Sequence, residues 1–374
     1  MKLNLIGNIF GIDGYSSHTR QLYNALYEIN PDTRLDSPMP QGWEGIVNDA
    51  ELAGLKISPS KEMTSIMIST PPNWRTALAD NPKNFIGYLV WEGSHIPRFW
   101  VEYLNTKDVT QIWVPSEHVV QAIMNTLAEE HKNKRLRIFD MNTIAGKIKV
   151  VPHGVDLSVF KPIAKEKKDK FTFISNKGWR GTNWDRGGAQ YLLQAYCSEF
   201  NKDENVKLIL KLNSSYIQPQ MVSFFLDKLG LPKDKPPIKI IIDNMSQKDI
   251  ANLYNQADVI VSPTRAEGFN LPLIEAMACG KPVITTNFGG QTDYVNEKNG
   301  WLINYELKTV KNDINYENCK WAIPDVEHLK KIMRLAYENK KITKEKSAYA
   351  LKDSKMWTWK NTAITAINIL EEIK

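Results

Sequence analysis

The sequence predicts an α/β protein of two doubly wound parallel-sheet domains that face each other across a cleft. With 374 residues the chain exceeds one ordinary core and suits two domains of about 150–200 residues. Short runs rich in β-branched and aromatic residues alternate with stretches of helical period along the whole length, the pattern of parallel sheets covered by helices on both faces. Near the middle, residues 161–170 form a polar, lysine-rich stretch carrying Pro162, as an exposed linker does.

The first domain is expected over 1–160, with strands at Leu3–Ile6, Ser65–Ser69, Phe85–Val90, Gln111–Val114 and Lys147–Val151. Met1 to Gly7 reads as the first strand rather than an export signal, which sets the expectation of a cytoplasmic protein. The loop from Gly7 through Gly11 and Gly14 to Ser17 joins that strand to a helix. Its spacing is not G-x-G-x-x-G, so no dinucleotide cofactor is expected, and the chain has no G-x-x-x-x-G-K-[ST] either. Glu92 and His95 follow the strand Phe85–Val90, at the carboxyl edge where open α/β sheets hold ligands; a structural role for either is the alternative.

The second domain is expected over 161–354, with strands at Phe171–Ser175, Val206–Leu212, Ile238–Ile242, Asp258–Ser262, Pro282–Thr285 and Trp301–Ile303. Trp359, Ala363, Ala366, Ile367, Leu370 and Ile373 recur at helical spacing, so a helix within 355–374 has an apolar face and is expected to return to the first domain.

A hydrophobic share of 42%, with no apolar run near the 18–20 residues of a membrane span, predicts a water-soluble chain. Cys197, Cys279 and Cys319 are scattered and suggest neither disulfides nor zinc. No H-E-x-x-H or D-x-D occurs, so no metal is expected. The net charge of +6 is uneven: residues 1–160 carry 15 basic against 17 acidic side chains, the remainder 33 against 25. That excess lacks the concentrated stripe of a nucleic-acid footprint. Only the run His131 to Arg137 comes close, and a peripheral membrane contact is kept open for it beside an ordinary exposed loop. Nothing fixes an oligomeric state.

The segment from Arg265 to Pro282 carries the most chemistry. A strand leads into a turn at Gly268, and Asn270 with Pro272 reads as the cap and first turn of a helix ending before Gly280. A helix N-terminus after a strand is an anion site, through its outward N–H groups and its dipole, and would take a diphosphate. Glu267 and Glu275 flank it, and carboxylates accept hydrogen bonds from vicinal hydroxyls, so the pair would grip sugars at either end of that diphosphate. Ordinary solvated acids are the alternative. A second loop, Lys177 to Gly188, follows the strand Phe171–Ser175 and bears Arg180 and Arg186, two cations able to converge on a leaving diphosphate or simply to be exposed.

The run E-G-F-x-L-P-x-x-E-A-M-A-x-G-x-P-V, spanning Glu267 to Val283, resembles the signature of family-4 retaining glycosyltransferases (glycosyl transferases group 1) of the GT-B fold, whose domains are Rossmann-like. The likeness continues through the Gly289-Gly290 pair, Val150 to Asp156 with Phe160 and Pro162, and Trp91-Glu92, Pro97 and Trp113 to Glu117; residues 30–80 add little. The resemblance implies that Glu275 binds the nucleotide ribose and Glu267 the donor sugar. It further implies that backbone around Gly268, Phe269, Asn270 and Leu271 meets phosphate or sugar, and that Gly14 and its neighbours face the donor phosphate and acceptor. Asn270 stands where the family often has glycine, and Arg186-Gly187 where it has lysine. The reaction implied is metal-independent, cofactor-free transfer from a UDP-sugar, or second a GDP-sugar, to an unidentified acceptor hydroxyl. No paired nucleophile is evident, so a front-face path with Glu267, Arg180, Arg186, His95 and Glu92 in the catalytic group is favoured. An epimerase or phosphorylase on the same fold, or a silent binding subunit, are the rivals.

Overall fold

The computed structural model describes the chain except for residues 12, 43–44, 164–169, 181–184, 215, 312–313 and 374. The chain divides into two compact units: Met1–Gly154 with Val310–Cys319 and Trp357–Lys374, and Val155–Thr309 with Lys320–Met356. The expected division at 160/161 therefore lies at 154/155. The reason is local. Phe160 is buried in the second unit against Tyr254, and Asn255 bonds both Lys161 O and Ile163 N at 3.0 Å, so the start of the expected linker is already bound. Residues 164–169 of that linker lie outside the described residues.

The first unit holds a parallel six-stranded sheet of β1 (Leu3–Ile6), β2 (Arg34–Asp36), β3 (Thr64–Ile68), β4 (Asn84–Tyr88), β5 (Val109–Val114) and β6 (Ile148–Val150), in the order β2-β1-β3-β4-β5-β6. β2 was not expected: it is a short polar edge strand, held by the pairing of Asn4 with Arg34. The helix Gly14–Ile29 starts at Asp13, whose side chain accepts from Ser16 N at 3.0 Å, and it packs against the helix Trp359–Glu371 of the same unit. Gly154 permits the return of the chain there, because a Cβ on it would lie 2.2 Å from Trp359 N. Beside it sits a closed aromatic cluster. His18 lies 4.1 Å from His153 and 4.3 Å from Tyr88, ring to ring, with Trp359 completing the group. All four are buried, and among the described residues neither ring nitrogen of His18 meets a hydrogen-bond partner.

The second unit holds a parallel sheet of β7 (Phe171–Lys177), β8 (Val206–Leu212), β9 (Ile238–Ile241), β10 (Val259–Ser262), β11 (Val283–Thr286) and β12 (Gly300–Ile303), in the order β12-β11-β10-β7-β8-β9. An antiparallel pair, β13 (Tyr305–Thr309) and β14 (Lys320–Pro324), was not expected. Phe173, Leu208, Leu210, Val259, Val261 and Ile284 build a core under helices Ala189–Glu199 and Val326–Glu338. Burial on both faces explains why β10 reads as an unbroken apolar run rather than an alternation. In each sheet the strand order reverses once, between β1 and β3 and between β7 and β10. Such a switch opens a crevice at the carboxyl ends of the strands, and the loops after β7 and β10 carry the residues singled out above.

Candidate functional site

The site in the second unit grows from the ends of β7 and β10. Strand β7 runs two residues past the expected Ser175, because Asn176 and Lys177 continue the ladder opposite Lys211 and Leu212. Lys177 is thus an ordered strand end. Its side chain is only 6% exposed, and its ammonium lies 2.9 Å from Glu267 Oε1 and also donates to Asn270 Oδ1. Burial pushes the Glu267 carboxyl up, but the charges of Lys177 and Arg186, with hydrogen bonds from Lys177 and Thr264, outweigh it and hold the group below the ordinary carboxylate value. Glu267 is therefore ionised at neutral pH.

Asn270 corrects an expectation. It stands before the helix Leu271–Ala278, but its side chain makes no cap hydrogen bond. Its φ of 76° is left-handed, and the amide instead reaches Lys177 and, at 3.4 Å, Ser262 Oγ. A left-handed residue is what a glycine would supply, and asparagine is the side chain that best tolerates the substitution. Asn270→Ala is accordingly expected to be about 1–2 kcal/mol less stable than Asn270→Gly, read by urea unfolding. Pro272 does sit in the first turn. The carbonyls of Phe269 and Asn270 are drawn to the buried Tyr294 hydroxyl at 2.9 and 2.8 Å, and Gly290 N donates to Glu267 O at 2.8 Å, so this turn is fixed from the side of β11. Gly268 belongs to the same turn, and Leu271 opens the helix whose dipole favours an anion in front of it.

The two arginines are not placed alike. The backbone oxygen of Arg186 accepts from Arg265 N at 2.8 Å and Thr264 Oγ1 at 2.9 Å, which ties that residue to the loop after β10, and its charge acts on Glu267. Arg180 is exposed, with its guanidinium 5.5 Å from the Tyr216 ring centre. Lys177 therefore makes the ion pair with Glu267, and the charge of Arg186 adds to it. The loop is organised by Asp185, which is buried and accepts from Gly188 N at 2.8 Å and Arg180 N at 3.3 Å. Gly188 has a φ of 77° and passes so close to Pro263 that a Cβ would lie 1.9 Å from its carbonyl oxygen. Gly181, Thr182, Asn183 and Trp184 lie outside the described residues.

Glu275, on the second turn of its helix, is half-buried; the Tyr254 hydroxyl donates to its Oε2 at 3.2 Å, and Asn176 Nδ2 donates to that hydroxyl at 2.8 Å. Burial pushes the Glu275 carboxyl up to about 7, against the opposing pull of the Tyr254 hydrogen bond and the Lys177 charge. Lys177, Asp185, Tyr254 and Tyr294 had no place among the expected site residues, and only the position of Lys177 on a loop after a strand hinted at its role.

In the first unit Glu92 and His95 follow β4, but other side chains already engage them. The Tyr316 hydroxyl donates to Glu92 Oε1, and its ring stacks on Trp91 with centres 5.1 Å apart. His95 Nδ1 lies 2.9 Å from Ser94 Oγ and its Nε2 lies 3.9 Å from Glu129. Gly14 is the first residue of its helix, with open space where a Cβ would stand. Among the described residues no cluster of histidine, cysteine, aspartate or glutamate could hold a metal, and no helix is long and apolar enough to cross a membrane.

Residues 239–316, which include the Glu267 to Glu275 segment, match the model of the glycosyl transferases group 1 family. The serotype-specific mannosyltransferase WbdA of Escherichia coli is 27% identical over 154 residues, covering 40% of this chain and 16% of that one. A probable sucrose-phosphate synthase of Thermosipho melanesiensis is 26% identical over 239 residues, 61% of this chain and 48% of that one. The chain thus spans less than half the length of these curated relatives. Among solved structures, Anabaena HepE in complex with UDP and glucose superposes with a TM-score of 0.68 at 14% identity, covering 100% of both chains. The fold is thus GT-B, and the segment 239–316 is similar to the glycosyl transferases group 1.

Proposed function

We propose that the protein moves a glycosyl group from a nucleotide-diphosphate sugar, with UDP as the favoured carrier, to an acceptor hydroxyl with retention and without a metal. The observation that carries this reading is the Lys177–Glu267 ion pair, with the charge of Arg186 acting on the same carboxylate, in front of a helix N-terminus at the switch between β7 and β10. A donor diphosphate there faces two cations and a helix dipole, which stabilise it as it leaves. Ionised Glu267 accepts hydrogen bonds from sugar hydroxyls, and Glu275 accepts them from the ribose. The bond from the anomeric carbon to the phosphate oxygen breaks, the acceptor oxygen forms its bond on the same face, and its proton passes to the departing phosphate. The UDP seen with HepE supports the choice of nucleotide.

Calorimetric titration in EDTA with UDP and GDP, followed by donor turnover, tests the reading. Selective UDP binding that weakens in Glu275→Ala is expected; no binding of either nucleotide sinks it. Because the ribose hydroxyls donate, Glu275 must be ionised to accept, so UDP affinity should rise about tenfold from pH 6 to pH 8, through a midpoint near 7. Tyr254, Tyr294 and Cys279 also face Glu275, and burial pushes all three up, away from that range. In Glu275→Gln only the part of the slope due to the terminal phosphate of UDP, whose second ionisation lies at about 6, should remain.

A further inference from the structure

The two glutamates of the donor site differ in how they are held. Glu267 meets a cation, whereas Glu275 is held by a neutral chain drawn from separate elements: Asn176 on β7, then Tyr254 on the helix Gln247–Asn255, then the carboxylate on the helix Leu271–Ala278. Tyr254 is fully buried and packs beside Phe160. A phenol has one proton to give. Since its oxygen accepts from Asn176 Nδ2, which can only donate, that proton points at Glu275 Oε2. The direction of the whole chain is therefore fixed, and its last bond restrains the rotation of the carboxylate.

We infer that Tyr254, oriented by Asn176, is a positioning residue that sets the Glu275 carboxylate for the paired hydroxyls of a nucleotide ribose and so gives the site its demand for a ribonucleoside diphosphate. This rests on the reading of Glu275 as the ribose anchor. One oxygen of Glu275 carries the Tyr254 bond, so a diol meets a carboxylate whose rotation is already restrained. Without Tyr254 the carboxylate would be buried with one fewer donor, and its charged form would be harder to maintain.

The test compares UDP with 2′,3′-dideoxyuridine diphosphate, which keeps the base and both phosphates but lacks the ribose hydroxyls. In Tyr254→Phe the Kd for UDP is expected to rise about tenfold while that for the dideoxy compound changes less than about twofold. The pH midpoint of UDP binding should also move upward, because a bond that favours ionised Glu275 has gone. Asn176→Ala, which leaves the phenol in place but releases its proton from a fixed direction, should give a smaller loss with the same selectivity. Equal weakening of both ligands in both variants, with no movement of the midpoint, overturns the inference and makes the chain a packing feature. Glu275→Ala separates the layers. Should it weaken UDP and the dideoxy compound equally, the ribose reading itself fails; should it weaken UDP alone while Tyr254→Phe and Asn176→Ala do not, only the role of Tyr254 falls.

Discussion

Lys177→Met is expected to lower turnover of the donor by about 10²–10³-fold, the loss that follows removal of one preorganised group from a developing anion. Methionine fills nearly the same volume, so lost packing is small; what disappears is the charge 2.9 Å from Glu267. The effect should fall on kcat more than on KM, since the diphosphate gains negative charge only as it departs. Hydrolysis of UDP-glucose in the absence of acceptor gives a readout that needs no knowledge of the acceptor. Arg180→Met provides the contrast: its guanidinium is exposed over Tyr216, and the expected loss is only a few-fold. Unchanged turnover in Lys177→Met, with Arg180→Met crippled, would return the leaving-group role to the arginine first expected from the sequence.

Acid should unfold the first unit steeply. Burial pushes the His153 imidazole down to about 3, and burial together with the neighbouring His153 holds His18 well below its ordinary value of 6.5. Both rings are therefore neutral when folded, whereas in the unfolded chain they take up protons below about pH 6.5. The unfolded state binds more protons, so stability is complete above pH 6.5 and is lost as pH falls toward 3, by about 1.4 kcal/mol per pH unit for His153, with His18 acting in the same direction. Urea unfolding between pH 7 and pH 4, followed by the fluorescence of the neighbouring Trp359, should show that decline. The double variant His18→Phe with His153→Phe should flatten it. A wild-type slope no steeper than the variant's would mean that the cluster opens to water at little cost.

How far the sequence revealed this molecule depended on whether a signal was local. Runs such as Val206–Leu212 are apolar because helices cover both faces of the sheet, and they could be read directly. β2 could not, for Arg34 and Asp36 are charged and the strand exists only through its partner β1. The last two residues of β7 are polar and read as loop, which hides Lys177 as a strand-borne cation. Asn270 reads as a helix cap because asparagine favours that place, yet the same side chain also tolerates left-handed backbone; the glycine frequent there in the family that the motif resembles is the available hint. Glu267 and Glu275 were legible from spacing around a helix N-terminus. Their partners were not: residues 176, 254 and 275 come together only when three elements pack, and no periodicity links them.

The last crossing of the chain bears on synthesis. The first unit is closed by residues 357–374, whose helix lies on Gly14–Ile29 and whose start abuts Gly154. During translation the six-stranded sheet of that unit is complete once residue 150 has emerged, yet one helix face and the rim of the histidine cluster stay uncovered while about 200 further residues are made, roughly 10–40 s at ordinary elongation rates. The second unit needs nothing made after residue 356. Of the two units, the one whose sheet is synthesised first is thus the last to have all its residues available for folding.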